Sequence, residues 1–338
     1  MANNDSHPPS VRCKRKSLFL YISGRLRLVF LAGLVLIPHL VLAQWNATAG
    51  AQSHDLGRQG LAFLPNEIWI HAGDSITWTV EADEPHTVTF LTSDQIRPPF
   101  TVGCPGFSAG SATFDGTSCI TSALLFKGEK LTVVFPVAGN FKLVCLLHAN
   151  MTGTVHVLER SQTLPYDQGF YDRVAQSESK DLLGDEDTGA PKHHHPGNSV
   201  TAGHGEIVAT GGGSDSLSVV RFSDPDITVH AGDTVEWAND DPVTAHTVTF
   251  GTEPEDPFPP SPNVTIDADG ARHGVLNSTS DSVHSRFIQP APQERTGLAQ
   301  APSGVTRFRV TFSKPGTYPY ICALHDGLGM KGRVLVLP

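Results

Sequence analysis

Short runs of β-branched and aromatic residues, cut by polar turns, recur along most of the chain. Ile68-Trp69-Ile70 and Ile76-Thr77-Trp78-Thr79-Val80 stand on either side of an Ala-Gly-Asp turn. Leu131 to Phe135 and Phe141 to Val144 are two more such runs, parted by Pro136-Val137-Ala138-Gly139-Asn140. The second half shows the same pattern in Val310 to Phe312, then Pro315-Gly316, then Tyr318 to Ile321. Each run predicts a strand. Their even spacing, the Gly and Pro turns and the lack of a sustained helical period predict an all-β sandwich architecture.

The pattern is also duplicated. His71-Ala72-Gly73-Asp74 recurs as His230-Ala231-Gly232-Asp233, and a Trp follows each Asp at the same spacing, Trp78 and Trp237. The pentapeptide His86-Thr87-Val88-Thr89-Phe90 recurs as His246-Thr247-Val248-Thr249-Phe250. Leu131 to His148 aligns without a gap on Phe308 to His325. A repeat of this length is a duplicated domain rather than a solenoid unit.

Each copy carries the same four side chains of metal-binding chemistry: His86, Cys145, His148 and Met151 in the first, His246, Cys322, His325 and Met330 in the second. A distant His, followed by a tight Cys-His-Met cluster, supplies two imidazoles, a thiolate and a thioether. That donor set selects copper and suits both Cu(I) and Cu(II). His71 and His230 also repeat, but they precede an Ala-Gly-Asp turn and read as surface residues.

On these residues each half resembles a cupredoxin of the plastocyanin, pseudoazurin and amicyanin type. The spacing of Cys145, His148 and Met151 is similar to amicyanin, and that of Cys322, His325 and Met330 to plastocyanin and pseudoazurin. The resemblance implies two tandem Greek-key β-sandwich domains, each binding one type 1 (blue) copper ion. One His would come from an inner strand and three ligands from a single loop. It further implies that the N–H of Thr87 and of Thr247 bonds the Cys sulfur, and that His148 and His325 are partly exposed portals for electrons.

Residues 1–43 read as a signal peptide or N-terminal anchor: a basic start, an apolar run from Leu28 to Leu42, and a small-residue end at Val41-Leu42-Ala43. Domain one is assigned to 44–159, an acidic, His- and Gly-rich flexible linker to 160–212, and domain two to 213–338. The linker leaves room for a short helix near Tyr171 to Ser179, and its His193-His194-His195 tract could take up metal weakly. Residues 253–304 read as a long Pro-, Ser- and Asp-rich insertion. Of the five cysteines Cys13 lies in the N-terminal segment and two are assigned to copper; Cys104 and Cys119 remain, and outside the cytosol they are expected to close a disulfide, free thiols being the alternative.

The chain has a net charge of −10, and residues 1–43 hold six of its 24 basic and one of its 34 acidic side chains. Without them the balance moves to −15, which disfavours nucleic acid and anionic membranes as partners. Redox partner proteins with basic or mixed surfaces are expected, in the periplasm or outside the cell. Membrane contact is expected only if the N-terminal segment stays uncleaved. An oxidase or nitrite reductase would place a His beside the Cys to wire a second copper. Here Val144 and Leu146 flank Cys145, and Ile321 and Ala323 flank Cys322. Electron carriage is therefore the leading reading, no enzymatic centre is expected, and copper storage or delivery is the alternative.

Overall fold

The computed structural model describes residues 42–184, 197–289 and 305–338. Residues 1–41 of the segment expected to be a signal peptide or anchor, and the His193-His194-His195 tract, lie outside the described residues. No described helix is long and apolar enough to cross a membrane.

The strand runs fold into two sandwiches with the same wiring. In the first, Gln44–Gln52 pairs parallel with Ser75–Val80, which pairs antiparallel with Lys130–Val134. The facing sheet runs from Glu67–His71 through Thr152–Leu158 and Gly139–Val144 to Thr89–Leu91. The second sandwich repeats these pairings. Ser199–Ala209 lies parallel to Thr234–Asp240, and Asp226–His230 joins Lys331–Leu337, Gly316–Ile321 and Thr249–Phe250.

Alternation along the strands explains which side faces in. Thr152–Leu158 and Glu67–His71 bury every second residue, as a one-sided sheet must. The inward side chains meet around one Trp in each half: Trp78 packs 5.4 Å from Phe90, and Trp237 packs 5.5 Å from Phe250. Such aromatic pairs bury the largest apolar areas available and favour tilted or edge-on contact.

The two sandwiches are not separate beads, because the described residues from Leu42 onward fall in one compact unit. The strand Arg58–Leu64 pairs antiparallel with its counterpart Ser214–Ser223, in the register Leu61 to Ser216 and Val219 to Arg58. Two edge strands thus close each other's hydrogen-bonding rows.

The segment 160–212 differs from a solvated linker where it is described. Gln168–Gly184 is a helix of 17 residues, started by Asp167, whose Oδ1 accepts from the N–H of Phe170 at 2.8 Å. The expected helix near Tyr171 to Ser179 is therefore present and longer. Burial holds it down: the Tyr171 hydroxyl accepts from Trp69 N at 2.8 Å, and Leu182 packs with Leu64, Leu217 and Val219 over the seam. Ser199–Ala209 is a strand of the second sandwich, so its hairpin with Ser214–Ser223 spans the boundary drawn at residue 213.

The stretch after residue 253 differs too. Arg272–Leu276 lies parallel to Arg307–Phe312, as Ser111–Thr113 lies parallel to Lys130–Val134 in the first half. As far as Gln289 it is therefore the counterpart of the first domain's own loop rather than an insertion. Pro and Ser density hid short strands of two to five residues. In the first half that loop carries the Cys104–Cys119 disulfide, with Cα atoms 5.5 Å apart.

One buried carboxylate at the seam makes stability depend on pH. Asp215 is buried near Glu178 and accepts from Asn66 Nδ2 at 2.9 Å. Burial first, and the neighbouring Glu178 second, push it from 3.8 up to about 8. Its contribution is fully present below the unfolded value of about 3.8 and is lost as pH rises through 8. Asp215→Asn should therefore match the parent at pH 4 and exceed it at pH 8 by about 2–3 kcal/mol, after discounting for relaxation of the site. Denaturant unfolding of both proteins at the two pH values checks this. A constant difference would contradict it.

Candidate metal centres

Each Cys-to-Met cluster is the hairpin loop between two antiparallel strands. Gly139–Val144 leads into Cys145, and Thr152–Leu158 follows Met151. The loop is pinned at its neck by Cys145 N donating to Met151 O at 3.0 Å. In the second half Cys322 N donates to Met330 O at the same 3.0 Å, although that loop is two residues longer. Arg97 braces the first loop by donating to the carbonyls of Cys145 and Leu146.

The distant histidines are held by paired backbone bonds. His86 exchanges them with Leu125, and His246 with Ile288. These anchors bring His86, Cys145 and His148 together at one end of the first sandwich, and His246, Cys322 and His325 at the same end of the second. All six are buried. Met151 and Met330 are fully buried members of the same two cores. Among the described residues these are the two groups of three or more His, Cys or acidic side chains close enough to share an ion.

The distances fit a shared ion. In the first centre Nδ1 of His148 is 3.2 Å from Nδ1 of His86 and 3.7 Å from the Cys145 sulfur. In the second, Nδ1 of His325 is 3.1 Å from Nδ1 of His246 and 3.4 Å from the Cys322 sulfur. Nitrogens and a thiolate that converge this closely in a buried pocket suit a first-row metal bonded at about 2.0–2.3 Å. Two imidazoles and a thiolate, with a thioether nearby, are a copper donor set.

Electrostatics prepare the thiolates. Burial opposes ionisation of Cys145, yet His148 and His86 hold its thiol well below the usual range. Cys322 is likewise held well below it against burial, here by His325 and His246. Burial would depress His148, but Cys145 and Glu84 push it up to about 9. The sulfur is also bonded: Thr87 N donates to Cys145 Sγ at 3.4 Å and Thr247 N to Cys322 Sγ at 3.3 Å. Each Thr hydroxyl accepts from the residue after the Cys, Leu146 N or Ala323 N, at 2.7 Å. The N–H bonds to sulfur would limit the charge it gives to a bound metal and so tune the metal's potential.

One expectation fails. His148 and His325 are 3% and 2% exposed, not open portals. The seam turns the two ligand loops toward each other and buries both rings. Between them lies Glu84, Oε1 at 3.1 Å from His148 Nε2 and Oε2 at 3.3 Å from His325 Nε2.

Other neighbours escaped the sequence. Gly50 (φ +79) and Gly203 (φ +76) lie at bulges in equivalent strands, against the rings of His86 and His246. The signal was present, since Thr48-Ala49-Gly50 recurs as Thr201-Ala202-Gly203. Asp241 sits 3.6 Å from His246 Nε2, an electrostatic contact rather than a hydrogen bond. The matching Nε2 of His86 has no hydrogen-bond partner. Burial pulls His246 down, but Asp241 and Cys322 raise it overall, whereas burial leaves His86 lowered.

Two β-sandwiches, each ending in a buried Cys and two His with a Met alongside, define a tandem cupredoxin. A sequence model of copper binding proteins of the plastocyanin/azurin family matches residues 51–158 and 208–337, and the chain belongs to that family. It is 27% identical over 124 residues to a plastocyanin of a Synechococcus strain, covering 37% of this chain and 68% of that protein. It is 31% identical over 137 residues to the chloroplastic plastocyanin of Physcomitrium patens, covering 40% of this chain and 61% of that one. For the chloroplastic plastocyanin of Tetradesmus obliquus the identity is 33% over 114 residues, covering 32% and 69%. Among solved structures, an oxidized amicyanin mutant aligns at 16% identity with a TM-score of 0.24, covering 34% of this chain and 82% of its own.

Proposed function

We propose that the protein is an extracytoplasmic electron carrier that holds one type 1 copper ion in each domain. The carrying observation is the pair of buried Cys-His-His clusters whose sulfurs each accept a backbone N–H. The bound ion would supply one-electron chemistry between Cu(I) and Cu(II). His86, Cys145 and His148 would hold the first ion, with Met151 as a weaker fourth donor. His246, Cys322, His325 and Met330 would do the same in the second.

The chain's own residues do the rest. The strand-anchored His and the loop neck fix the ligands, so little movement accompanies a change of charge. Burial excludes water and leaves no open position for a substrate. The partners are proposed to be redox proteins with basic or mixed-charge surfaces. The test is copper content with a visible spectrum of the oxidised protein. Two ions per chain with intense thiolate-to-copper bands support the reading. Copper without those bands would favour storage or delivery.

The two centres should differ in potential. Asp241 places a carboxylate behind the inner His of the second centre alone. A buried negative charge favours the more positive oxidised state, by something on the order of 1 kcal/mol. The second centre should therefore have the lower potential for this reason, and Asp241→Asn should raise that potential while leaving the other in place. Spectroelectrochemistry reads both. Movement of the first potential would refute the assignment.

A further inference from the structure

One carboxylate serves both centres. Glu84 is 7% exposed and lies two residues before His86 in the first domain. Its Oε1 is 3.1 Å from Nε2 of His148 in its own half, and its Oε2 is 3.3 Å from Nε2 of His325 in the other. In both rings Nδ1 faces the ligand cluster. A ring that binds metal through Nδ1 keeps its proton on Nε2 and donates it. A carboxylate can accept two such bonds, one per oxygen. The second domain has no equivalent, since Thr244 stands two residues before His246. The clamp is therefore single and shared.

We propose that Glu84 is a positioning residue common to both metal sites, and that it couples them: a change of charge at one site alters the hold of the same carboxylate on the outer imidazole of the other. The proposal rests on the copper reading above. An oxidised centre carries one more positive charge, which makes its Nε2–H a stronger donor and draws the carboxylate closer. Both N–H donors draw on the charge of one carboxylate, so they compete for it. What one imidazole gains the other loses, so oxidation of the first centre makes oxidation of the second harder. The two potentials are then set further apart than the two ligand sets alone would place them.

The test compares the full protein, Glu84→Gln and Asp241→Asn by spectroelectrochemistry. Glutamine has the same shape but no charge, and its one carbonyl oxygen can accept from one imidazole while its amide faces the other N–H. Glu84→Gln is expected to raise both midpoint potentials and to narrow their separation. Asp241→Asn, touching one centre, should move one. If Glu84→Gln moves one potential or neither while both sets of thiolate bands persist, the shared clamp is refuted.

A second measurement does not need that variant to fold. In the Cu(I) protein the Nε2–H protons of His148 and His325 should give slowly exchanging NMR signals. The His148 signal should shift when the other site is disabled by Cys322→Ser. An unchanged signal overturns the coupling. If the parent protein lacks thiolate-to-copper bands, the copper reading fails by itself, and the same NMR comparison with Zn(II) still decides the coupling.

Discussion

Cys145→Ser is expected to remove half of the intense visible absorption of the oxidised protein and one of the two copper ions proposed for it. Cys322→Ser should remove the other half, and the double substitution should leave neither. The argument is chemical. Each thiol is already held well below its usual range by two neighbouring imidazoles, so the sulfur is ready to bind as a thiolate. A serine hydroxyl does not ionise there and is a harder donor, mismatched to Cu(I). The fold should survive, because the change is nearly isosteric and each loop neck is held by backbone atoms. Metal analysis with absorption spectra on the three variants checks this. Loss of both ions from either single variant would mean that the centres do not bind independently enough to be counted separately.

Gly50→Ala and Gly203→Ala should each disable one centre by pushing on the back of a proposed ligand ring, His86 or His246. A Cβ at residue 50 would lie 2.4 Å from Nε2 of His86, and at residue 203 it would lie 2.0 Å from Nε2 of His246. Neither ring can retreat, since its other face meets the ligand cluster. Both glycines also have left-handed backbone, which costs an alanine about 1–2 kcal/mol. Overpacking adds about 1–3 kcal/mol. The expected result is a loss of about 2–4 kcal/mol of stability and at least a tenfold loss of copper affinity at one site. Gly270→Ala separates the two causes. It shares the left-handed backbone at φ +84 but meets nothing within 4 Å, so it should lose stability without touching copper. Equal copper affinity in all three variants would refute the argument.

The two Cys-His-His clusters were readable in the chain because their spacing is local and repeated. Three of the four proposed ligands lie in one hairpin loop, and the fourth opens an identical pentapeptide in both halves. The sandwich was readable for a similar reason, since strand runs such as Ile76 to Val80 carry β-branched and aromatic residues throughout. What was hidden depends on contacts between distant segments. Nothing near Arg58–Leu64 announces that it will pair with Ser214–Ser223. Glu84 looks like any acidic loop residue until that pairing brings His325 to it. The helix's full length and its docking were hidden by composition: Gln168–Gly184 is polar overall, and a few residues such as Tyr171 and Leu182 hold it in place.

The seam strand has a consequence for how the molecule can diversify. Each half gives the same element to the junction, which is the geometry of an isologous dimer carried in a single chain. A dimer of identical subunits must have two identical centres and therefore no internal gradient. Covalent union lifts that constraint, and this chain uses the freedom: one ligand loop is two residues longer, Asp241 stands behind one inner imidazole, and Glu84 comes from one side alone. An isolated half would regain the symmetry by pairing Arg58–Leu64 with a second copy of itself, and would lose the inequality between its centres.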